Sequence, residues 1–436
     1  MINNLENSLK RRRVGYVALL STACLSLLAV GCVATDPPSP PRTSGPAFDS
    51  GGANISTYSA PGSNSFPRAD RSNWWRASHS VDSFSRLDDI WRANVVRRPP
   101  LPSAWKRPAM EPAISYQGAP QVGAGRYDID QYLKRNPTTA LAVVQGDAIL
   151  VERYRYGRRD TSRMTSFSMA KTILAMLVGV AVDEGLIASI EDHAELYVPG
   201  LAGSEYGRTP LRHLLTMSSG VDFREDYDGT DDSSRLSRAT FVGQSSGGAE
   251  AARLFNRRGA EPGRRWHYAS AETYVIALVL RAAIGRPIAD YLSEKIWQPM
   301  GAEADATWLV EATGTEVGYT GFNAVLRDYA RLGRLLADGG RAGGRQLVPE
   351  VWLQEMTGAH FSGAQTGRWY GYGFQTWVFP DNDGSFALLG VRGQCIFVDP
   401  ARRLVLVHLA VRPGARDPGG ADTTALWRGV KSSLAR

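Results

Sequence analysis

The chain has 436 residues, 43% hydrophobic and 21% charged, a globular composition with room for one large domain or two ordinary ones. The formal net charge is +7, but Lys10, Arg11, Arg12 and Arg13 against Glu6 place +3 of it in the first 31 residues. The +4 that remains is scattered, with no basic, aromatic-interleaved stripe to bind nucleic acid. Six dispersed histidines without an H-E-x-x-H pattern argue against a zinc hydrolase, and three cysteines without C-x-x-C argue against redox or zinc chemistry.

In chain order, residues 1–31 read as a targeting segment: "KRRR", then the apolar "VGYVALLSTACLSLLAV", then "AVGCVATD". This resembles a bacterial lipoprotein lipobox, with Ala29 where Leu is commoner, and implies cleavage before Cys32 and lipidation of its thiol. Val33, rather than Asp, after that cysteine implies the outer membrane, facing the periplasm. An uncleaved anchor and a plain secretory signal are the other readings. Residues 32–72 are rich in Pro, Gly and Ser, cannot bury a core, and are expected to form a disordered tether ahead of a folded body over 73–436. Trp74 and Trp75 open that body and read as core. With Cys24 in the apolar segment and Cys32 at the lipid site, only Cys395 remains in the body, where "GQCIFVDP" makes it a buried small residue without a disulfide partner.

"ALAVVQ" and "AILVERY" predict a hairpin turning at Gly146-Asp147. "SFSMAKTILAMLVGV" (166–180) predicts a buried helix closed by Gly185. Residues 186–300 read as mostly helical, and "AVLRDYARLGRLLADGG" is another helix ending in glycines. Strands return at "YGYGFQTWVF", "FALLGV", "QCIFVDP" and "RLVLVHLAV", and "TTALWRGVKSSL" closes the chain as a helix. Strands at both ends with helices between predict an α+β fold: an antiparallel sheet flanked by helices, with a largely helical second region.

Ser168 and Lys171, three apart at the start of the apolar helix, share a face. A serine hydroxyl needs a base beside it to attack a carbonyl, and a lysine whose pKa is lowered by burial can be that base. The plainer reading is a serine cap beside an exposed lysine. Tyr268, ahead of the apolar helix that begins near Ser270, offers a phenol able to move a proton. Gly390 and Gly393 bracket a turn into a late strand and allow a close backbone approach.

Together, Ser-x-x-Lys, then Tyr-x-Ser about a hundred residues on, then a glycine-rich turn into a late strand resemble the serine β-lactamase-related hydrolases: class C β-lactamases, DD-peptidases, esterases and nylon-oligomer (6-aminohexanoate-dimer) hydrolases. "LLTMSSGVDFREDYDGTDD", "YASAETYVIALVL", "GFNAVLRDYARLGRLL" and "GVRGQCIFVDP" look like blocks of the last branch, from about Trp74 to Arg436. The resemblance implies a β-lactamase/transpeptidase-like fold and an acyl-enzyme, with Ser168 as nucleophile, Lys171 as base and Tyr268 as proton shuttle. It also implies an oxyanion hole from the N–H groups of Ser168 and Val391, near Gly393, and a substrate contact at Tyr227. No metal or cofactor is implied, and the partners are a small ester or amide and, through the lipid, a membrane. Two departures stand out: Ser270 replaces the usual Asn, and "GVRGQ" replaces Lys-Thr-Gly, with Arg392 as a candidate cation. Both favour an esterase or amidase over a β-lactamase or DD-peptidase. A catalytically inactive cell-wall binder is the non-enzyme alternative, opposed by the presence of Ser168, Lys171 and Tyr268 together.

A rival nucleophile is Ser245 in a literal G-x-S-x-G, with His360 and His408 following. No long strand leads into it, so we read it as a helix-entry residue. The acidic run Glu225, Asp226, Asp228, Asp231 and Asp232 lacks EF-hand spacing and reads as a solvated loop rather than a calcium site.

Overall fold

The hairpin is the centre from which the main sheet grows. A computed structural model describes residues 66–435 apart from 121, 122, 244, 417 and 418. The targeting segment, Cys32 and most of the tether lie outside the described residues. Strands β1 (Thr138–Gln145) and β2 (Ala148–Tyr154) pair antiparallel across Gly146, whose φ of 57° a glycine adopts without strain. Helices α1 (Ala170–Asp183), α2 (Ser270–Ile284) and α3 (Leu326–Ala337) follow. Then come β3 (Gly371–Tyr372), β4 (Trp377–Val378), β5 (Phe386–Gly390), β6 (Gln394–Asp399), β7 (Leu404–Ala410) and the closing helix α4 (Gly419–Ser433). The seven strands form one antiparallel sheet in the order β3-β4-β5-β6-β7-β1-β2.

Both faces of this sheet are covered, which explains why its central strands read as continuous apolar runs. Ala142, Val144, Val405 and Val407 face the core shared with α1, α2 and α3. Leu141, Val143, Leu406 and Phe397 face Leu426, Trp427 and Val430 of α4. Cys395 is buried in this second cluster, where burial pushes its thiol up to about 12. Helix α3 approaches the sheet closely at Gly333, where a Cβ would lie 2.4 Å from Val405 Cγ1.

Three differences from the sequence reading bear on the fold. A four-stranded antiparallel sheet forms from Ala93–Val96, Ala306–Leu309, Phe322–Ala324 and Met164–Thr165. Its strands of two to four residues are too short to show a period. The end of the expected tether is packed: Phe66 meets Tyr156 edge-on at 6.4 Å, and the Ala69 N–H donates to Asp82 at 2.8 Å. Composition averaged over a window hides single apolar anchors of this kind. Trp74 packs edge-on against Trp91 as core, whereas Trp75 is exposed.

Candidate active site

The apolar run that makes α1 a buried helix also buries its only charged first-turn residue. Lys171 is 1% exposed, and Ser168 stands three residues before it in the 3-10 turn Phe167–Met169. Lys171 Nζ lies 3.0 Å from Ser168 Oγ, 3.1 Å from Ser270 Oγ and 3.0 Å from the Tyr319 carbonyl oxygen. Burial lowers the lysine to about 8, a shift that the Glu225 carboxylate partly opposes. The Tyr268 ring centroid lies 5.1 Å from Lys171 Nζ, and burial first, then Glu225, pushes its phenol up. Both groups are therefore biased to their neutral forms: an amine that can accept a proton and a phenol that can give one.

Two scaffolding contacts hold α1 and α2 in this relation. Gln375 accepts from Thr273 of α2 through Oε1 at 2.7 Å, and its backbone carbonyl accepts from Thr172 of α1 at 2.6 Å. The Tyr268 ring stacks on Trp377 of β4, with centroids 5.5 Å apart. Neither partner has a sequence motif that marks it.

The glycine-rich turn arrives from the sheet edge. Val391 starts the turn that links β5 to β6, immediately after Gly390. A Cβ on Gly390 would lie 2.4 Å from the Ser166 carbonyl oxygen and 3.1 Å from Phe167 Cβ, so the strand end touches the serine turn directly. This brings the Val391 segment beside Ser168. The Gly393 carbonyl accepts from His408 Nδ1 at 2.6 Å. Arg392 does not offer a free cation: its guanidinium donates to the carbonyls of Trp75 (3.2 Å), Arg412 (3.4 Å) and Pro413 (3.0 Å).

The 221–231 loop, ahead of α2, supplies what the sequence reading missed. Glu225, placed there in a solvated acidic run, is 6% exposed. It accepts from the Ser270 N–H at 2.7 Å, the Ser270 hydroxyl at 2.8 Å and the Tyr227 hydroxyl at 2.7 Å. Asp231, also buried, organises the loop by accepting from the N–H groups of Asp226 and Tyr227, each at 2.7 Å. Charge spacing alone does not separate these two inward acids from exposed Asp226 and Asp228 and half-buried Asp232. Among the described residues no group of three or more His, Cys, Asp or Glu is placed to hold a metal ion.

The rival serine sits apart. Ser245 Oγ donates to the Ala239 carbonyl at 3.2 Å and accepts from the Gly247 N–H at 3.0 Å, in the connection between helices Asp232–Phe241 and Gly248–Arg253. His408 is buried against Tyr132 and Thr138, and His360 stacks on Phe374. A cavity of about 1020 Å³ lies between the sheet and α4, lined by Trp369, Tyr370, Cys395 and Arg412; Gly390 and Gly393 also line it, but neither Ser168 nor Lys171 does.

Residues 128–430 match the family model described as Beta-lactamase. The chain is 30% identical over 376 residues to the 6-aminohexanoate-dimer hydrolase of Paenarthrobacter ureafaciens, an alignment that covers 83% of this chain and 91% of that one. A Bacillus anthracis structure assigned to the 6-aminohexanoate-dimer hydrolases superposes with a TM-score of 0.75 at 22% identity, over 83% of this chain and 96% of the other. A family VIII carboxylesterase shares the fold with a TM-score of 0.53 at 19% identity, over 69% and 93%.

Gly390 gives a direct test of the contact between strand end and serine turn. Gly390→Ala is expected to push the Ser166–Ser168 segment aside and slow fluorophosphonate labelling of Ser168 by about a hundredfold, since misplacement of a reacting group by about 1 Å costs that much. Labelling at the wild-type rate would show that the two segments yield to each other.

Proposed function

The chain belongs to the β-lactamase family and is a hydrolase, and from that premise we propose that it cleaves ester or amide bonds of small substrates through an acyl-enzyme on Ser168. The observation that carries this is the coordination of Lys171. A neutral amine has two N–H donors and one lone pair. Ser270 Oγ and the Tyr319 carbonyl take the two donors, so the lone pair faces Ser168 Oγ at 3.0 Å. Lys171 then accepts the serine proton as Oγ attacks the carbonyl carbon. The developing oxyanion is met by the N–H groups of Ser168 and Val391. Tyr268, kept as a phenol by burial, protonates the departing alcohol or amine. Water releases the acyl group by the reverse proton path.

Short esters and linear amides fit this site better than β-lactams. Arg392 is engaged by backbone carbonyls, no Lys-Thr-Gly segment is present, and Ser270 stands at the Asn position. The relatives named above include a 6-aminohexanoate-dimer hydrolase and a family VIII carboxylesterase, which supports the same class. Fluorophosphonate treatment followed by peptide mapping is expected to place the adduct on Ser168. Ser168→Ala should abolish turnover of p-nitrophenyl esters, and nitrocefin should be turned over far more slowly than those esters. An adduct on Ser245, or faster nitrocefin turnover, contradicts the proposal.

The base must be unprotonated to act, so kcat/KM should rise as pH increases through the Lys171 value of about 8 and level off above it. A profile that is flat between pH 7 and 9 would remove Lys171 from that role.

We further propose that Cys32 is lipidated and holds the body at the outer membrane on the periplasmic side, on the strength of the "AVGCVATD" stretch after an apolar segment. Cys32→Ala should move the protein from the membrane fraction to the soluble fraction and abolish incorporation of labelled palmitate. Unchanged fractionation would overturn it.

A further inference from the structure

Ser270 has one hydroxyl proton, and the geometry leaves one place for it. Lys171 donates to Ser270 Oγ at 3.1 Å, so that oxygen is an acceptor towards the lysine. Its own proton must point elsewhere, and Glu225 Oε1 lies 2.8 Å away. A serine rotor without such a partner could turn its proton towards the amine. It would then compete for the lone pair that deprotonates Ser168. Glu225 is itself held: Oε2 accepts from the Ser270 N–H, Oε1 accepts from Tyr227 Oη, and the Glu225 backbone carbonyl accepts from Arg416 at 2.7 Å.

Resting on the acyl-enzyme reading above, we propose that Glu225 is a positioning residue that locks the Ser270 hydroxyl as an acceptor and thereby aims the Lys171 lone pair at Ser168. It works through Ser270 and does not touch the reacting atoms. The arrangement also gives Ser270 a purpose at the position where an Asn would hold its amide geometry without help. A hydroxyl there rotates freely and requires an external acceptor to fix it. Backbone strain supports a built arrangement: Phe167, ahead of the serine, has φ 43°, and Tyr227, beside the acid, has φ 62°. Non-glycine residues hold such values only where the surroundings impose them.

The charged and titratable groups around Lys171 are few. Its own turn supplies Ser168, and the start of α2 supplies Tyr268 and Ser270. The Tyr319 ring lies 5.7 Å from Nζ. The 221–231 loop supplies Glu225, with Tyr227 behind it. Arg416 faces Tyr227 at 5.5 Å, Arg368 acts on Tyr268, and Glu272, further along α2, is turned to Ser219. Glu225 is thus the nearest carboxylate to act on the lysine, and it favours the ammonium. Glu225→Gln removes the charge, which must lower the lysine's pKa, and leaves one acceptor oxygen where the carboxylate has two, so the side chain can no longer accept from both the N–H and the hydroxyl of Ser270 and the rotor is loosened.

The test is the pH profile of kcat/KM for Glu225→Gln with a p-nitrophenyl ester, alongside its thermal midpoint and fluorophosphonate mapping of wild type and variant. The acidic limb should move down by roughly one pH unit, and the plateau should fall roughly tenfold to a hundredfold. A residue that only caps α2 would lower the thermal midpoint and the plateau with the limb unmoved, and that result overturns the inference. Ser270→Ala keeps Glu225 in place and removes the bridge. It should lose a similar share of the plateau, and adding Glu225→Gln to it should cost little further rate. Full multiplication of the two losses, or a wild-type plateau in Ser270→Ala, also overturns the inference, the second even if Glu225→Gln does not fold. If wild type is labelled at Ser168 and the limb does not move, the positioning role alone fails. If wild type is not labelled at Ser168, the acyl-enzyme reading fails and this inference falls with it.

Discussion

An amine buried at the first turn of an apolar helix is the constraint on which the rest depends. Taking a lysine out of water disfavours its charged form, and this protein leaves Lys171 almost fully buried with only neutral oxygens as direct partners. The same burial that would be a liability in a structural helix favours the neutral amine. Every neighbouring element contributes to keeping it so. Helix α1 seals it from below, α2 brings Ser270, the 317–321 loop brings a carbonyl, and the sheet edge brings Gly390 against the serine turn.

The main sheet serves the site through one strand end. Strand β5 is straight and well paired with β6 from Phe386 to Gly390, and it stops where it meets Ser166. Covering the sheet on both faces makes that end rigid. Gln375 does comparable work for the helices: a single side chain and its carbonyl tie α1 to α2. Its φ of 50° places it, with Phe167, Tyr227 and Arg392, among the non-glycine residues held in left-handed conformations close to the site. Such conformations cost energy, which the packed core around them offsets.

Arg392 and Glu225 exchange the roles their surroundings in the sequence suggest. The arginine in the glycine-rich turn looks like a free cation, yet three backbone carbonyls take its donors. The glutamate in a run of acids looks solvated, yet Asp231 folds the run so that Glu225 points inward while Arg224 and Asp226 face out. In both cases the local pattern carries the residue's charge but not its direction, because direction is set by turns that depend on distant backbone.

Local rules sufficed wherever an element is long and its pattern is backed by turn chemistry. The hairpin at Gly146, the helices over 170–183 and 326–337, the last three strands and the closing helix were all legible from periodicity and glycine placement, whereas "YGYGFQTWVF", read as one strand, folds back on itself as two paired strands of two residues. The Ser168–Lys171 pair was legible because three-residue spacing on a helix start fixes a shared face. Tyr268 and the Gly390 turn were legible only as members of a set. What tertiary structure alone decided is the company that pair keeps. The Ser270 hydroxyl, the Tyr319 carbonyl, Glu225 and Gln375 come from segments about 50 to 200 residues away. The short second sheet and the packed Phe66 belong to the same class. Hydrogen bonds between segments so far apart leave no period and no fixed spacing in a chain, so only the folded chain could show which groups surround its buried lysine.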